Sequence, residues 1–296
     1  MAETTTRKTI REAAARHLGL LIEALVTSVS AEGNDRIVVD KLADITPDAE
    51  RMRDSWVYHP NGTNETNWRR IQKYDYPNSR EVLVSRDFNP VPTATDPIQI
   101  YMMLDPDEWN ALINQALQRL YFVDRIAVPI IADEKEYALS AAGEIWLQSS
   151  GQIHSIKFRR TAEAGLETEQ EVSAYSIQED TNVLTIKLHS PPPSATQYQM
   201  IIVGRRNYAA ISTDAATTTC PYPLLLRAVV VAAVHKIFEK YGANIKRLYG
   251  STSIIEEREL EKEKARWLPQ LQSREYVQQE EWEGVEIDSV WRSPAW

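Results

Sequence analysis

Residues 105–121 read "DPDEWNALINQALQRLY", and how they fold decides how the rest of the chain is parsed. Asp105 has the short acceptor side chain of an N-cap, and Pro106 suits the first helical position, where no backbone N–H is needed. Trp109, Leu112, Ile113, Ala116, Leu117 and Leu120 follow at spacings of three and four, which gives one apolar face. The pattern predicts a helix over 104–122. On both sides the text changes to strands. Residues 24–103 hold short β-prone pieces, among them "DSWVYHP" (54–60), "WRRIQKYDY" (68–76), "REVLVSRDF" (80–88) and "PIQIYMM" (97–103), separated by Asn, Gly and Pro clusters. These predict a small β-domain, barrel-like in kind. Residues 123–210 hold seven more strand-like pieces, from "RIAVPII" (125–131) and "EIWLQS" (144–149) to "YQMIIVGRR" (198–206), with turn signals between them, and predict a β-sandwich.

Helical text returns at the two ends. In residues 1–23, Ile10, Ala13, Ala14, His17, Leu18 and Leu21 share one face, Thr9 and Glu12 have capping-box spacing, and Gly19 offers a stop. "ALVTSVSAEGNDRIVVD" (24–40) then reads as two short strands around a Glu-Gly-Asn-Asp turn. In residues 211–272 a helix is expected from Tyr222 to Tyr241, ended by Gly242, and it is apolar nearly all round. Such a helix must be covered on several sides, by sibling helices or by a neighbouring subunit. Ser253 and Glu256 suggest a second capping box, opening a helix in which Glu256, Glu257, Glu259 and Glu261 precede Lys262, Lys264 and Arg266, with Pro269 as its stop. The expected class is α+β: a discontinuous hub of about four helices, interrupted by the barrel-like domain and the sandwich. Trp109, Leu117, Leu224, Val230, Val234 and Phe238 should build that hub or its subunit contacts.

No regular element is expected over 273–296. "EEWEGVEIDSVWRSPAW" (280–296) lacks helical or strand periodicity, yet carries three tryptophans. Tryptophan is rare in solvating tails and common at interface hot spots. The segment is therefore read as an extended docking arm, with Trp282, Val285, Ile287, Val290, Trp291, Arg292 and Trp296 facing a partner.

Composition narrows the function. A formal net charge of −9 opposes tight binding of a phosphate backbone, and the basic pairs Arg69-Arg70, Arg159-Arg160 and Arg205-Arg206 read as solvated. One cysteine, Cys220, precludes an internal disulfide framework and is read as a small buried hydrophobe. Without an export signal or a run approaching ~20 apolar residues, the expectation is a soluble chain made in the cytoplasm, with no membrane partner. His17, His59, His154, His189 and His235 show no metal-ligand spacing, and His17 and His235 are read as satisfied histidines on helix faces. Ten glycines include no phosphate loop, and Glu167, Glu169 and Glu171 are read as a solvated loop cluster. No catalytic residue, cofactor or metal is expected, and the chain is not read as an enzyme.

Several stretches, in order, resemble the head-to-tail connector (adaptor) proteins of tailed bacteriophages. They are the helix ending in "RHLG" (16–19), "WRRIQKYDYPNSREVLVSRDF" (68–88), "LDPDEWNALINQALQRLY" (104–121), "IADEKEYALS" (131–140) and "RRNYAAISTDAATTTCPYPLLLRAVVVAAVHKIFEKYG" (205–242). Ser140 stands where that family usually has proline. The likeness spans about residues 8–270. It implies a non-enzymatic virion protein of the neck, a ring of twelve subunits docked beneath the portal and continuing the DNA channel. The portal, the next tail or neck protein and tail fibres become the expected partners, with DNA passing through unbound and the arm reaching the portal. A carbohydrate-binding or fibre-anchoring module is the alternative, with Trp56, Trp68 and Trp146 as aromatic platforms; core packing is the competing role for each of them.

Overall fold

A computed structural model describes residues 5–29, 33–42, 52, 55–59, 68–75, 80–131, 133–139, 153–160, 169–180, 183–190, 192–193 and 197–272. The expected docking arm (Trp282, Val285, Ile287, Val290, Trp291, Arg292 and Trp296), the piece "EIWLQS" with Trp146, and Glu167 lie outside these residues. In chain order the elements are β1 (Thr5–Thr6), α1 (Arg7–His17), β2 (Leu21–Leu25), β3 (Ser28–Val29), β4 (Arg36–Val38), β5 (Ser55–Tyr58), β6 (Trp68–Asp75), β7 (Glu81–Val84), β8 (Pro97–Met102) and α2 (Pro106–Arg119). There follow β9 (Tyr121–Pro129), β10 (Glu136–Ala138), β11 (Ile153–Arg160), β12 (Gln170–Glu171), β13 (Tyr175–Asp180), β14 (Val183–Leu188), β15 (Tyr198–Asn207), β16 (Thr217–Thr218), α3 (Tyr222–Tyr241) and α4 (Ala243–Gln272). Among the described residues the class is mixed: four helices with antiparallel sheets. Two compact units divide the chain, one from Met1–Arg119 with Ala209–Trp267, the other from Leu120–Tyr208 with Leu268–Trp296.

In the first unit seven strands form one sheet in the order β2-β8-β5-β6-β7-β4-β3. Its two edge strands, β2 and β3, are joined by Val26 and Thr27 alone, so the sheet must curl until its edges approach. The corner itself shows the switch: Val26 N–H donates to Asp96 O just before β8, whereas Thr27 N–H donates to Val38 O on β4. The result is a half-barrel around Ile22, Val26, Ile37, Val57, Ile71, Val82, Phe88 and Ile100, all buried. Two short strands within 24–40, β3 and β4, pair antiparallel, while Glu32 of the expected turn lies outside the described residues; β2, however, begins at Leu21, inside the segment 1–23 assigned to the first helix. Gly19 is the reason. At φ 68° it takes the left-handed conformation, Leu20 N–H donates to Ala15 O and Gly19 N–H to Arg16 O, and the helix closes in a Schellman motif.

The caps correct two other expectations. Thr6, not Thr9, caps α1: its hydroxyl accepts from Thr9 N–H at 3.2 Å, one turn ahead of the expected box. Glu12 instead accepts from Gln99 of β8. α2 starts as expected, with Glu108 N–H donating to the Asp105 carboxylate at 2.7 Å and Glu108 returning a bond to Asp105 N–H at 2.9 Å. No new helix starts at Ser253, which lies inside the thirty-residue α4, where its hydroxyl donates to Glu257. Nor does Pro269 stop α4, which runs to Gln272; a proline so near the helix end removes one ladder bond at most.

α3 ends at Gly242 as expected. Its φ of 70° and ψ of −156° fall in a region open essentially to glycine alone. Nothing lies near a Cβ added there, so Gly242→Ala should cost only backbone strain, about 1–3 kcal/mol, read by urea unfolding. Along α3, Leu224, Leu225, Ala228, Val229, Val230, Val231, Ala233, Val234 and Ile237 are buried, with α1 and α2 packed against the helix. The chain covers this apolar helix itself, so its composition does not call for a second subunit. Trp109 and Leu117 of α2 are fully buried in the same unit, and Phe238 is half-buried.

In the second unit, a four-stranded sheet (β12-β11-β15-β9) and a three-stranded sheet (β10-β14-β13) enclose one core. Ile126, Val128, Ile156, Met200 and Ile202 come from the first sheet, and Tyr137, Ile186 and Leu188 from the second. Alternation along each strand sends these side chains inward. Glu169 corrects the solvated-loop reading: its side chain is 3% exposed, accepts from Arg125 at 2.7 Å and sits 3.8 Å from Lys157.

Candidate functional site

The outer face of the half-barrel is built by register. Val57 of β5 points into the barrel core, so its neighbours Trp56 and Tyr58 point outward. Pairing of β5 with β6 sets Tyr58 opposite Trp68 and Trp56 opposite Arg70, and pairing with β8 sets Trp56 opposite Tyr101. Tyr58 and Trp68 stack at 4.1 Å between centroids, with Tyr101 edge-on to Trp68 at 5.5 Å. The Arg11 guanidinium of α1 lies 5.2 Å from the Trp68 centroid and 5.8 Å from that of Tyr58. Burial pushes the Tyr101 phenol up to about 12, against the opposing pull of Arg11. This aromatic layer is where the barrel meets the helices.

Behind it is a buried ionic knot. Arg11, with its side chain wholly out of solvent, forms a fork onto Asp214, Nη1 to Oδ1 at 2.7 Å and Nη2 to Oδ2 at 2.5 Å, and also donates to Asn110 of α2. Arg7 donates Nε to the same carboxylate at 3.0 Å and Nη1 to the carbonyls of Ile211 and Ser212. Asn114 of α2 accepts from Ile211 N–H at 2.8 Å. The loop around 211–214 is thereby tied to α1 and α2. Burial works against the charge on Arg11, yet the Asp214 bonds win and hold the guanidinium above its ordinary range. For Asp214 burial also opposes ionisation, and the two arginines hold its carboxyl below the usual carboxylate range. Periodicity in "TRKTIREAA" puts Arg7 and Arg11 on the face of Ile10 and Ala14, a signal that charges lie under cover; nothing local points to Asp214.

Of the helix-face histidines, His17 meets Glu256 at 2.7 Å, with Arg227 bonded to the same carboxylate at 2.6 Å, and His235 meets Glu257 at 2.8 Å. These contacts link α1 and α3 to α4. Cys220 is buried. Among the described residues, no three His, Cys, Asp or Glu side chains cluster as a metal site requires, and no helix is long and apolar enough to cross a membrane.

A groove of about 330 Å³ lies beside the aromatic layer. Trp56, Trp68, Arg69, Arg70, Ser85 and Arg86 line it, and Asp105, Pro106 and Asp107 at the start of α2 close one end. Burial, with Glu108 and Asp107 nearby, raises the Asp105 carboxyl above its ordinary value. Lys240 of α3 reaches over the Trp56 ring at 5.1 Å while bonded to Glu108. Arg69 is not a purely solvated charge, since it donates to the Asp87 and Trp68 carbonyls. The structure thus brings together two of the three tryptophans considered as platforms, Trp56 and Trp68, and adds a basic wall that sequence reading left in solvent.

Comparison with protein-family models, curated proteins and solved structures finds no match.

Proposed function

We propose that the chain is a ring-forming structural subunit of a tailed-phage neck, seated between the portal and the next tail or neck protein, with DNA passing through without specific binding. The observation that carries this reading is the order of elements. A helix from the chain start (α1), one from its middle (α2) and one from near its end (α3) pack together, with β-structure looped out between them. This order is compatible with the discontinuous hub expected from the sequence, with residues 273–296 as the arm that reaches the portal or a neighbouring subunit. Twelve is the subunit number the resemblance implies. Since α3 is covered within the chain, the surface offered to a neighbour is the exposed apolar group on α4, Leu248, Ile254 and Ile255, at 70%, 64% and 57% exposure; Leu25 and Ile131 are exposed elsewhere. The acidic balance supports a wall along which a duplex slides. The reading needs no catalytic group and no cofactor. Its test is the symmetry of the assembled protein: a closed cyclic particle supports it, and a persistent monomer that joins no particle defeats it.

One observation favours a second reading, a carbohydrate-binding or fibre-anchoring module, because Trp56 and Trp68 line a common groove. Against it, the groove is walled by Arg86 and ended by Asp105 and Asp107, charges that a neutral saccharide does not answer. Glycan-array binding by the full-length protein separates the two.

A further inference from the structure

We infer that the groove between Trp56, Trp68 and Arg86 receives the C-terminal segment of a neighbouring copy of this chain. The inference deepens the ring reading and rests on it for the neighbour.

Three chemical surfaces meet in the groove. One wall is aromatic (Trp56, Trp68), one is basic (Arg69, Arg70, Arg86), and one end is acidic (Asp105, Asp107). Residues 273–296 carry the complement. Six carboxylates stand against two arginines there, a net charge of −4. Within "EIDSVWR" (286–292), Glu286 and Asp288 precede Trp291, and Arg292 follows at once. An extended chain laid along the groove would place the carboxylates on the arginines, the indole against the tryptophan wall, and the Arg292 guanidinium towards Asp105 and Asp107. Each pairing is of a kind that is strong at interfaces: arginine with carboxylate, aromatic with aromatic, and a tryptophan anchor in a pocket. The volume suits this occupant, since about 330 Å³ is at the small end of ligand sites and accommodates one large side chain with its flanks. A free sugar or a nucleic acid fits less well. A saccharide brings no negative charge to the basic wall, and a polyphosphate meets Asp105 and Asp107 at one end.

Exchange between copies follows from symmetry. In a head-to-tail ring each copy presents one arm and one groove, so every groove is filled and closure leaves no surplus surface. Twenty-four residues span up to about 80 Å when extended, enough to reach an adjacent subunit.

The test uses full-length protein with W282A/W291A/W296A, whose own arm lacks the anchors, and a fluorescent peptide of residues 278–296. Saturable one-to-one binding is expected. It should weaken about tenfold when Arg86→Glu is added to that protein, weaken similarly for the peptide with Trp291→Ala, and fall with added salt. Arg86 is exposed, so an unchanged thermal transition of the Arg86→Glu protein separates lost docking from lost folding; Trp56→Ala is the second groove variant. Absence of saturable binding, or binding indifferent to Arg86→Glu, overturns the inference while leaving ring formation to be judged from the wild-type oligomer. The arm variant and the Arg86→Glu variant are then mixed. A one-to-one heterodimer, formed by neither alone, is expected from an arm given to a neighbour. Peptide binding without heterodimer formation shows that each arm occupies its own groove and overturns exchange between copies.

Discussion

Asp214→Ala is expected to cost about 3–5 kcal/mol of stability, enough to lower the thermal midpoint on the order of 10 °C. The reason is what remains. Arg11 keeps a guanidinium with no solvent exposure and loses its fork partner, and Arg7 loses its Nε acceptor in the same event. An unpaired buried charge is far more costly than a pair is valuable, so the loss exceeds anything a surface ion pair could produce. Asp214→Asn, which retains acceptor oxygen without charge, should fall between wild type and alanine. The pH dependence has a definite sign. Asp214 is held below its unfolded value, so its contribution is complete above that value, about pH 4, and is lost as pH falls through the lower folded-state value. Wild-type stability should therefore drop at acid pH, and Asp214→Ala should show a smaller drop over the same window. Chemical unfolding at neutral pH and near pH 3 measures both; an alanine variant within 1 kcal/mol of wild type would show that the knot contributes little.

A second large effect is expected inside α3. Val230 has no solvent exposure, and Val230→Asp would set a carboxylate among apolar side chains with no partner. Loss of more than about 4 kcal/mol is expected, visible as loss of the cooperative transition. The informative contrast is on α4. Leu248→Asp and Ile255→Asp alter side chains already in solvent and should change the stability of the isolated chain by about 1 kcal/mol or less. Under the ring reading the same two changes should abolish or weaken assembly, because a carboxylate then enters an apolar subunit contact. Sedimentation of the variants at matched concentration reads this directly. Intact rings in the Leu248→Asp and Ile255→Asp proteins would move the subunit contact elsewhere on the surface.

Local chemistry was legible and long-range chemistry was not. The Asp105-Pro106 start of α2, its buried face and the Gly242 end of α3 could be read because cap and periodicity lie within a few residues of one another. At the start of α1, Thr6 and Thr9 are both competent caps, and only the backbone of Thr6, extended at ψ 154°, distinguishes them. Ser253 looked like a start because its spacing to Glu256 imitates a box, whereas those residues are held within the helix by Glu257, His17 and Arg227. The Arg11–Asp214 fork joins residues 203 positions apart, and the curl of the sheet depends on which strands pair across the corner at Val26 and Thr27. In the groove, the tryptophans drew attention in the sequence as single residues. Their grouping with Arg70 comes from strand register, and Arg86 joins them from the bend just after β7; residue type alone dictates neither.

An electron-microscopy image of the purified protein mixed with a portal assembly tests the proposal that this chain works as a ring beneath a portal. The account predicts a closed ring of this chain, coaxial with the portal and leaving an open channel, with density from each subunit crossing to a neighbour or to the portal. A chain that stays monomeric at every concentration and adds no density to the portal would contradict it.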